Sequence, residues 1–171
     1  MEIKAYIGLG SNTGDRTENL RQAVKLLTGT PGLAVTRFSS FYYGPAREMT
    51  DQPDFLNAVV EISTSLSPEE TLRDLLTIEQ TMGRVRTRDK GPRNVDLDLL
   101  LHGETVMKTS YLTLPHPRML KRDFVLHPLA EVVSDLIIPG TGHTVNDYLG
   151  KLETDDQFRK IESELEKESA T

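Results

Sequence analysis

The chain has 171 residues, no cysteine, 37% hydrophobic residues and a formal net charge of −6, the profile of one soluble domain built on a single core. Without cysteine, disulfides, thiolate zinc sites and thiol catalysis are excluded, and the acidity argues against a nucleic-acid partner. No apolar run reaches the ~20 residues of a membrane span, and the N-terminal MEIKAYIGLG turns polar too early for a signal peptide, so the expected compartment is the cytoplasm.

Ile3, Ala5, Ile7 and Leu9 alternate with Lys4, Tyr6 and Gly8, which predicts a first strand ending near Asn12. The GLGSNTG within and after it does not have dinucleotide-fingerprint spacing, because its third glycine stands at 14 rather than 13. Gly8 and Gly10 are better explained by a tight turn with close backbone approach. Asp15 with Glu18 forms a capping-box pattern before Leu20, Ala23, Val24 and Leu27, predicting a helix over 15–28. Residues 33–42, β-branched and aromatic, predict a second strand that ends at Gly44 and Pro45. The aperiodic stretch after them is a candidate substrate rim.

A third strand follows, with Leu56, Ala58, Val60 and Ile62 on one face and Phe55, Asn57 and Val59 on the other. An aromatic ring and an amide two residues apart can stack a flat heterocycle and bond its edge, or can be a core ring beside a strand-end amide. Ser67, Pro68 and Glu70 open a second helix. Leu72, Leu75, Leu76, Ile78 and Met82 form its apolar stripe, with Glu79 near the middle. A carboxylate there needs a partner, or sits where the helix runs off the core.

Arg84, Arg86, Arg88, Lys90 and Arg93 then put five cations into ten residues, just before Asp96 and Asp98 on a strand from about 94 to 101. Alternation sends the two aspartates to one face and Val95, Leu97, Leu99 and Leu101 to the other. Carboxylates ~6.5–7 Å apart at Cα can share or bridge hard cations, although an Asp-x-Asp can also be the solvated face of a sheet. Asp is disfavoured in strands, so the pair calls for compensation. The adjoining arginines suit a polyphosphate, joined to the aspartates through magnesium. Such a cationic loop is expected to close over the polyphosphate.

After a turn at His102 and Gly103, residues 105–108 predict a further short strand. The proline-stiffened residues 114–118 and the basic 121–122 could extend a phosphate site through His116 and Arg122, or be ordinary loop. Residues 124–133 are apolar and predicted helical after Pro128. Residues 151–171 hold seven acidic and four basic side chains and read as a weakly docked C-terminal helix without chemistry, outside a main domain of 1–150. The element order βαββαβ predicts an α+β, ferredoxin-like two-layer sandwich with a C-terminal extension, its helices on one face and its aspartates on the open one.

YIGLGSN at 6–12, SSFY and GP within 39–45, DQPDFLNAV at 51–59, IEQTMGRVR at 78–86, GPRNVDLDLLL at 91–101, LPHPRM from 114 and RDFVLHPL from 122 resemble, in that order, the 6-hydroxymethyl-7,8-dihydropterin pyrophosphokinases of folate biosynthesis. The resemblance implies transfer of pyrophosphate from ATP, the co-substrate, to the pterin hydroxymethyl group, with AMP released. It assigns two Mg²⁺ ions to Asp96 and Asp98, and stabilisation of the transferring phosphates to Arg84 and Arg93. It assigns the pterin to Gly10, Gly44, Pro45, Phe55, Asn57 and Phe124, and the nucleotide to Glu79, Arg86, Thr113, His116 and Arg122. Lys90 and Tyr111 depart from residues that some relatives carry at nucleotide contacts, and the acidic tail has no counterpart. A monomer acting on small molecules, away from nucleic acid and membrane, is the expected form. A kinase moving only the γ-phosphate and a non-catalytic ligand-binding module are the rival readings.

Overall fold

The computed structural model describes residues 2–44, 55–83, 95–152 and, as backbone alone, 159–161. The chain runs β1 (Ile3–Ser11), α1 (Arg16–Thr28), β2 (Leu33–Phe38), β3 (Phe41–Gly44), β4 (Phe55–Thr64), α2 (Pro68–Thr81), β5 (Asp96–His102), β6 (Met107–Lys108), β7 (Thr113–Leu114), α3 (Asp123–Val133), α4 (Val145–Leu149) and β8 (Arg159–Ile161). The main sheet has the order β5-β1-β4-β3-β8, with β2 also on β4. The pairings of β1, β2, β3 and β5 are antiparallel, so the protein is mixed α and β with an antiparallel sheet.

Alternation along β1 and β4 builds one apolar layer. Ala5, Ile7, Leu9, Leu56, Ala58, Val60 and Ile62 are buried against Leu20, Ala23 and Leu27 of α1 and Leu75 and Ile78 of α2. Local sequence starts both helices where expected. Asp15 accepts the N–H of Glu18 at 3.1 Å, and Ser67 and Glu70 close a reciprocal capping box. The predicted second strand is divided at Ser39 and Ser40. Ser39, fully buried, replaces part of the ladder by accepting the Val59 N–H on its Oγ at 2.8 Å.

The expectation of an open second face is corrected. Tyr6, Val59, Leu100 and Leu101 pack there against Met119, Val125, Leu126, Leu129 and Val132, and the α3 and α4 region forms a second helical layer. Deleting one of these buried side chains, Leu126 for instance, typically costs ~2–5 kcal/mol. Leu101 lies in this layer and not with Leu97 and Leu99. The β1/β5 register steps from Tyr6 opposite Leu101 to Ile7 opposite Leu99, so Leu100 is an extra residue and the strand beyond it changes face. Helix α3 begins at Asp123, before Pro128. The missing N–H removes a single helical bond, and buried residues on both sides of the proline hold the helix together.

The C-terminal segment, expected to be helical, instead places Arg159–Ile161 as strand β8 on β3. Unpaired N–H and C=O groups at the β3 edge give such a segment a partner that an isolated charged helix lacks.

Candidate active site

The site lies on the α3 face of the sheet. Asp96 and Asp98 stand on β5, the terminal strand of the sheet, half-buried and on the same face. Across from them on β1 are Gly10, opposite Asp96, and Gly8, opposite Asp98. On the other side of β1, Gly10 is opposite Asn57 of β4, and Asn57 is opposite Tyr42 of β3. One row therefore reads Asp96, Gly10, Asn57, Tyr42, all on one face, with Phe55 one step along from Asn57 and opposite Gly44.

Gly8 and Gly10 lie inside an extended strand and not in the turn expected for them; neither has a positive φ. Close approach is nonetheless the role of Gly10. A Cβ on Gly10 would stand 3.1 Å from Asn57 Oδ1 and 3.6 Å from Phe55 Cδ1, whereas one on Gly8 would make only ordinary contact with the Leu100 side chain. Gly10 forms a floor without a side chain between the carboxylate of Asp96 and the aromatic-amide pair.

Glu79 has the partner that its place on the apolar stripe demanded. It is buried, and its Oε2 accepts the Leu97 N–H at 2.8 Å. That donor lies on the edge strand, between the two aspartates, so α2 pins the backbone that carries them. The loop after β7 closes the opposite side. The His116 N–H donates to the carbonyl of Leu100, the bulge residue, at 2.9 Å. Burial holds the His116 pKa below the ordinary histidine value; Asp98 pulls it upward, while Arg122 and Arg118 press it down. The His116 Nδ1 accepts the Arg118 N–H at 3.3 Å, which assigns the neutral ring's proton to Nε2. The Arg122 guanidinium lies over the ring of Phe124, 5.3 Å from its centroid. Thr113 sits on β7, which packs beside β5.

Of the residues named from the sequence, the structure thus brings Asp96, Asp98, Gly10, Asn57 and Phe55 onto one face. His116 and Arg122 lie within electrostatic reach of one another and of that face, and Phe124 is beneath Arg122. Gly44 lies opposite Phe55. Pro45, Arg84, Arg86, Arg93 and the expected mobile cationic loop fall outside the described residues. Among the described residues no three acidic or histidine side chains converge as a ready-made metal cage. Two carboxylates are nevertheless a sufficient protein contribution for magnesium, a hard cation that keeps waters and takes its remaining oxygens from phosphates.

A family model described as 7,8-dihydro-6-hydroxymethylpterin-pyrophosphokinase (HPPK) matches residues 6–134. The chain belongs to this family. It is similar to the 2-amino-4-hydroxy-6-hydroxymethyldihydropteridine pyrophosphokinase of Methylorubrum extorquens, 45% identical over 150 residues that cover 88% of this chain and 94% of that one. It is also similar to the folic acid synthesis protein fol1 of Pneumocystis carinii, 41% identical over 86% of this chain but only 20% of the fungal protein. The crystal structure of wild-type Plasmodium falciparum HPPK-DHPS shares the fold, with a TM-score of 0.74 at 13% identity over 94% of this chain and 48% of that one. The chain thus spans a fifth of the fungal relative and about half of the Plasmodium protein, and nearly the whole of the Methylorubrum one.

This HPPK-family chain carries three residues around the site that the sequence did not single out: Tyr42, His127 and Glu131. Tyr42 shares the Asn57 row, its ring stacks with that of His127 at 6.4 Å between centroids, and its hydroxyl donates to Glu131 Oε2 at 3.2 Å. Strand alternation through residues 41–44 does place Tyr42 on the same face as Gly44. Its partners on α3 are some 85–90 positions away and leave no local signal.

Proposed function

We propose that the chain transfers the pyrophosphoryl group of ATP to the hydroxymethyl oxygen of 6-hydroxymethyl-7,8-dihydropterin, yielding AMP and the pterin diphosphate, a step of folate biosynthesis. The observation that carries this reading is the row Asp96, Gly10, Asn57: a metal-type carboxylate and a ring-reading amide separated by a floor with no side chain. A flat bicycle held by Phe55, Phe124 and Asn57, with Gly44 and Pro45 as further pterin-binding residues, places its exocyclic alcohol toward the aspartates. The strand order β5-β1-β4 with β2 and β3 beyond suits a ferredoxin-like sheet.

In the reaction the alcohol oxygen bonds to the β-phosphorus, and the bond from that phosphorus to the α,β-bridging oxygen breaks. The alcohol proton is lost, and AMP leaves on the far side. Two magnesium ions on Asp96 and Asp98 would supply charge neutralisation at the phosphates and acidify the alcohol. The chain's own residues position. Glu79 fixes the strand that bears the carboxylates, and its side chain, with Thr113, His116, Arg86 and Arg122, forms the nucleotide side. Arg84 and Arg93 neutralise the transferring phosphates. Neutral His116 offers Nε2–H as a donor without adding a cation against the magnesium. The net charge of −6 supports small-molecule substrates over nucleic acid. Among the described residues no helix is long and apolar enough to cross a membrane. The working form proposed is a cytoplasmic monomer.

Incubation with the pterin alcohol and Mg²⁺-ATP is expected to release one AMP per pterin diphosphate, resolved by ion-exchange chromatography. ADP as the nucleotide product would make the enzyme a γ-phosphate kinase and overturn the reading; ligand binding without turnover would make it a binding module. The glycine floor has its own test. Gly10→Ala puts a methyl group 3.1 Å from Asn57 Oδ1, and it is expected to weaken pterin binding by about tenfold while nucleotide affinity holds. Fluorescence titration with 6-hydroxymethylpterin measures it, and parent-like affinity would remove Gly10 from the pocket.

A further inference from the structure

Helix α3 presents Phe124, His127 and Glu131 at i, i+3 and i+7, a single stripe, and packs on β4 and β3. Its two ends have different duties. At the first, Phe124 lies under Arg122, which with Asp98 acts on His116. At the last, polar ties hold the helix to the sheet. Glu131 takes the backbone N–H of Ser40 on Oε1, and on Oε2 the Ser40 hydroxyl at 3.0 Å and the Tyr42 hydroxyl at 3.2 Å. The next carbonyl, that of Val132, accepts Arg37 Nη1 at 2.9 Å.

Seven residues at 1.5 Å separate Glu131 from Phe124 by ~10 Å along the axis, so Glu131 does not touch what Phe124 touches. The helix between them is weakened at one point: Pro128 has no N–H for the Phe124 carbonyl four residues earlier. The placement of the Phe124 ring therefore depends on where the rest of α3 is anchored. Its polar anchor is the stretch from Arg37 on β2 through Ser40 to Tyr42 on β3, and Tyr42 stands directly opposite Asn57. The same stretch thus carries the reference point for both the amide and the ring.

We infer that Glu131, bonded to Ser40 and to Tyr42, on which the His127 ring stacks, is a positioning residue that sets the distance of Phe124 from the Asn57 row and so tunes affinity for the flat substrate ring. This inference rests on the pterin reading of that pocket. It assigns to Glu131 no contact with pterin or nucleotide.

The test is binding of 6-hydroxymethylpterin and, separately, of ATP to the full chain, with a thermal melt for each variant. Glu131→Ala is expected to weaken pterin binding about tenfold and to leave ATP affinity within about twofold. Glu131→Gln, whose amide oxygen still accepts from Ser40, is expected to restore most of the loss. Val132→Ala, on the same helix and buried but keeping its carbonyl for Arg37, serves as the stability control and is expected to lower the melting temperature without moving pterin affinity. Parent-like pterin binding by Glu131→Ala overturns the inference, as does an equal loss in Val132→Ala. If Glu131→Ala does not fold, Tyr42→Phe carries the test. A smaller pterin-specific loss in Tyr42→Phe supports the inference, and no loss there overturns it. Phe124→Ala separates the two levels: undiminished pterin binding there sinks the pocket reading itself, whereas a loss in Phe124→Ala alone sinks only the role of Glu131.

Discussion

Asp96→Ala and Asp98→Ala are each expected to lower the rate of AMP release by about a thousandfold or more, ~4 kcal/mol of barrier, while pterin binding survives. Under the proposed function the two carboxylates are the hard-oxygen donors for a magnesium-polyphosphate substrate, and no neighbouring side chain on β1 can take their place, because Gly8 and Gly10 stand opposite them. The same variants separate catalysis from folding. Two like charges two residues apart on a strand repel each other, and aspartate is poorly suited to strands. Neutralising either should leave the melting temperature unchanged or raise it, the usual sign of a site kept at some cost to stability. The check pairs an initial-rate assay with a thermal melt. A folded variant that keeps parent-like turnover would remove the metal assignment, and with it the phosphoryl-transfer reading.

What the sequence disclosed depended on how local the determining interactions are. The N-caps at Asp15 and Ser67, the alternation of β1 and β4, and the shared face of Asp96 and Asp98 are all settled within a few residues, and each stands in the structure, although of the two caps only Ser67, with Glu70, closes a reciprocal capping box. Leu101 was misplaced because the register shift beside Leu100 belongs to the pairing with β1, not to β5 alone. The glycines of β1 suggest a turn by composition. Only the presence of Asn57 and Phe55 across the strand reveals that Gly10 clears space. Helix α3 continues through Pro128 because Val125, Leu126, Leu129 and Val132 are buried on both sides of it, a tertiary gain that outweighs one lost hydrogen bond. For the candidate site, the acidic pair and the Phe55 and Asn57 pair were legible as chemistry. The glycine floor that joins them into one row, and the latch of Glu131 on β3, arise from strand pairing and helix docking.

The second large effect concerns stability. Glu61 is 5% exposed in the middle of β4, on the α3 face, between Tyr6 and Arg37 in the sheet register. Its Oε2 accepts the Tyr6 hydroxyl at 2.8 Å and its Oε1 the Thr36 hydroxyl at 2.7 Å, with Lys4 Nζ at 3.7 Å and Arg37 Nε at 3.8 Å. Burial alone would raise its pKa; the hydrogen bonds from Thr36 and Tyr6, then the charges of Lys4 and Arg37, outweigh it and hold the carboxyl below the usual glutamate value of 4.5. Lys4 and Arg37 are more than half exposed, so their ion pairs contribute little; the two hydroxyls are the main partners. Glu61→Ala strands the buried Tyr6 hydroxyl, opens a cavity and frees the Arg37 that also holds the end of α3. It is expected to cost ~1–3 kcal/mol in urea unfolding at neutral pH. The pH dependence follows from the direction of the shift. Below 4.5 the unfolded chain takes up the proton first, so Glu61 contributes its full stabilisation at neutral pH and loses it as the pH falls through the folded value. Glu61→Gln should therefore be less stable than the parent at pH 7, with the difference shrinking in acid. Burial foremost, with the Glu61 bond next, raises the Tyr6 pKa, so an alkaline loss above its ordinary value of 10 should vanish in Tyr6→Phe. Equal stability of Glu61→Ala and parent at neutral pH would mean that the carboxylate anchors neither β4 nor the helix across from it.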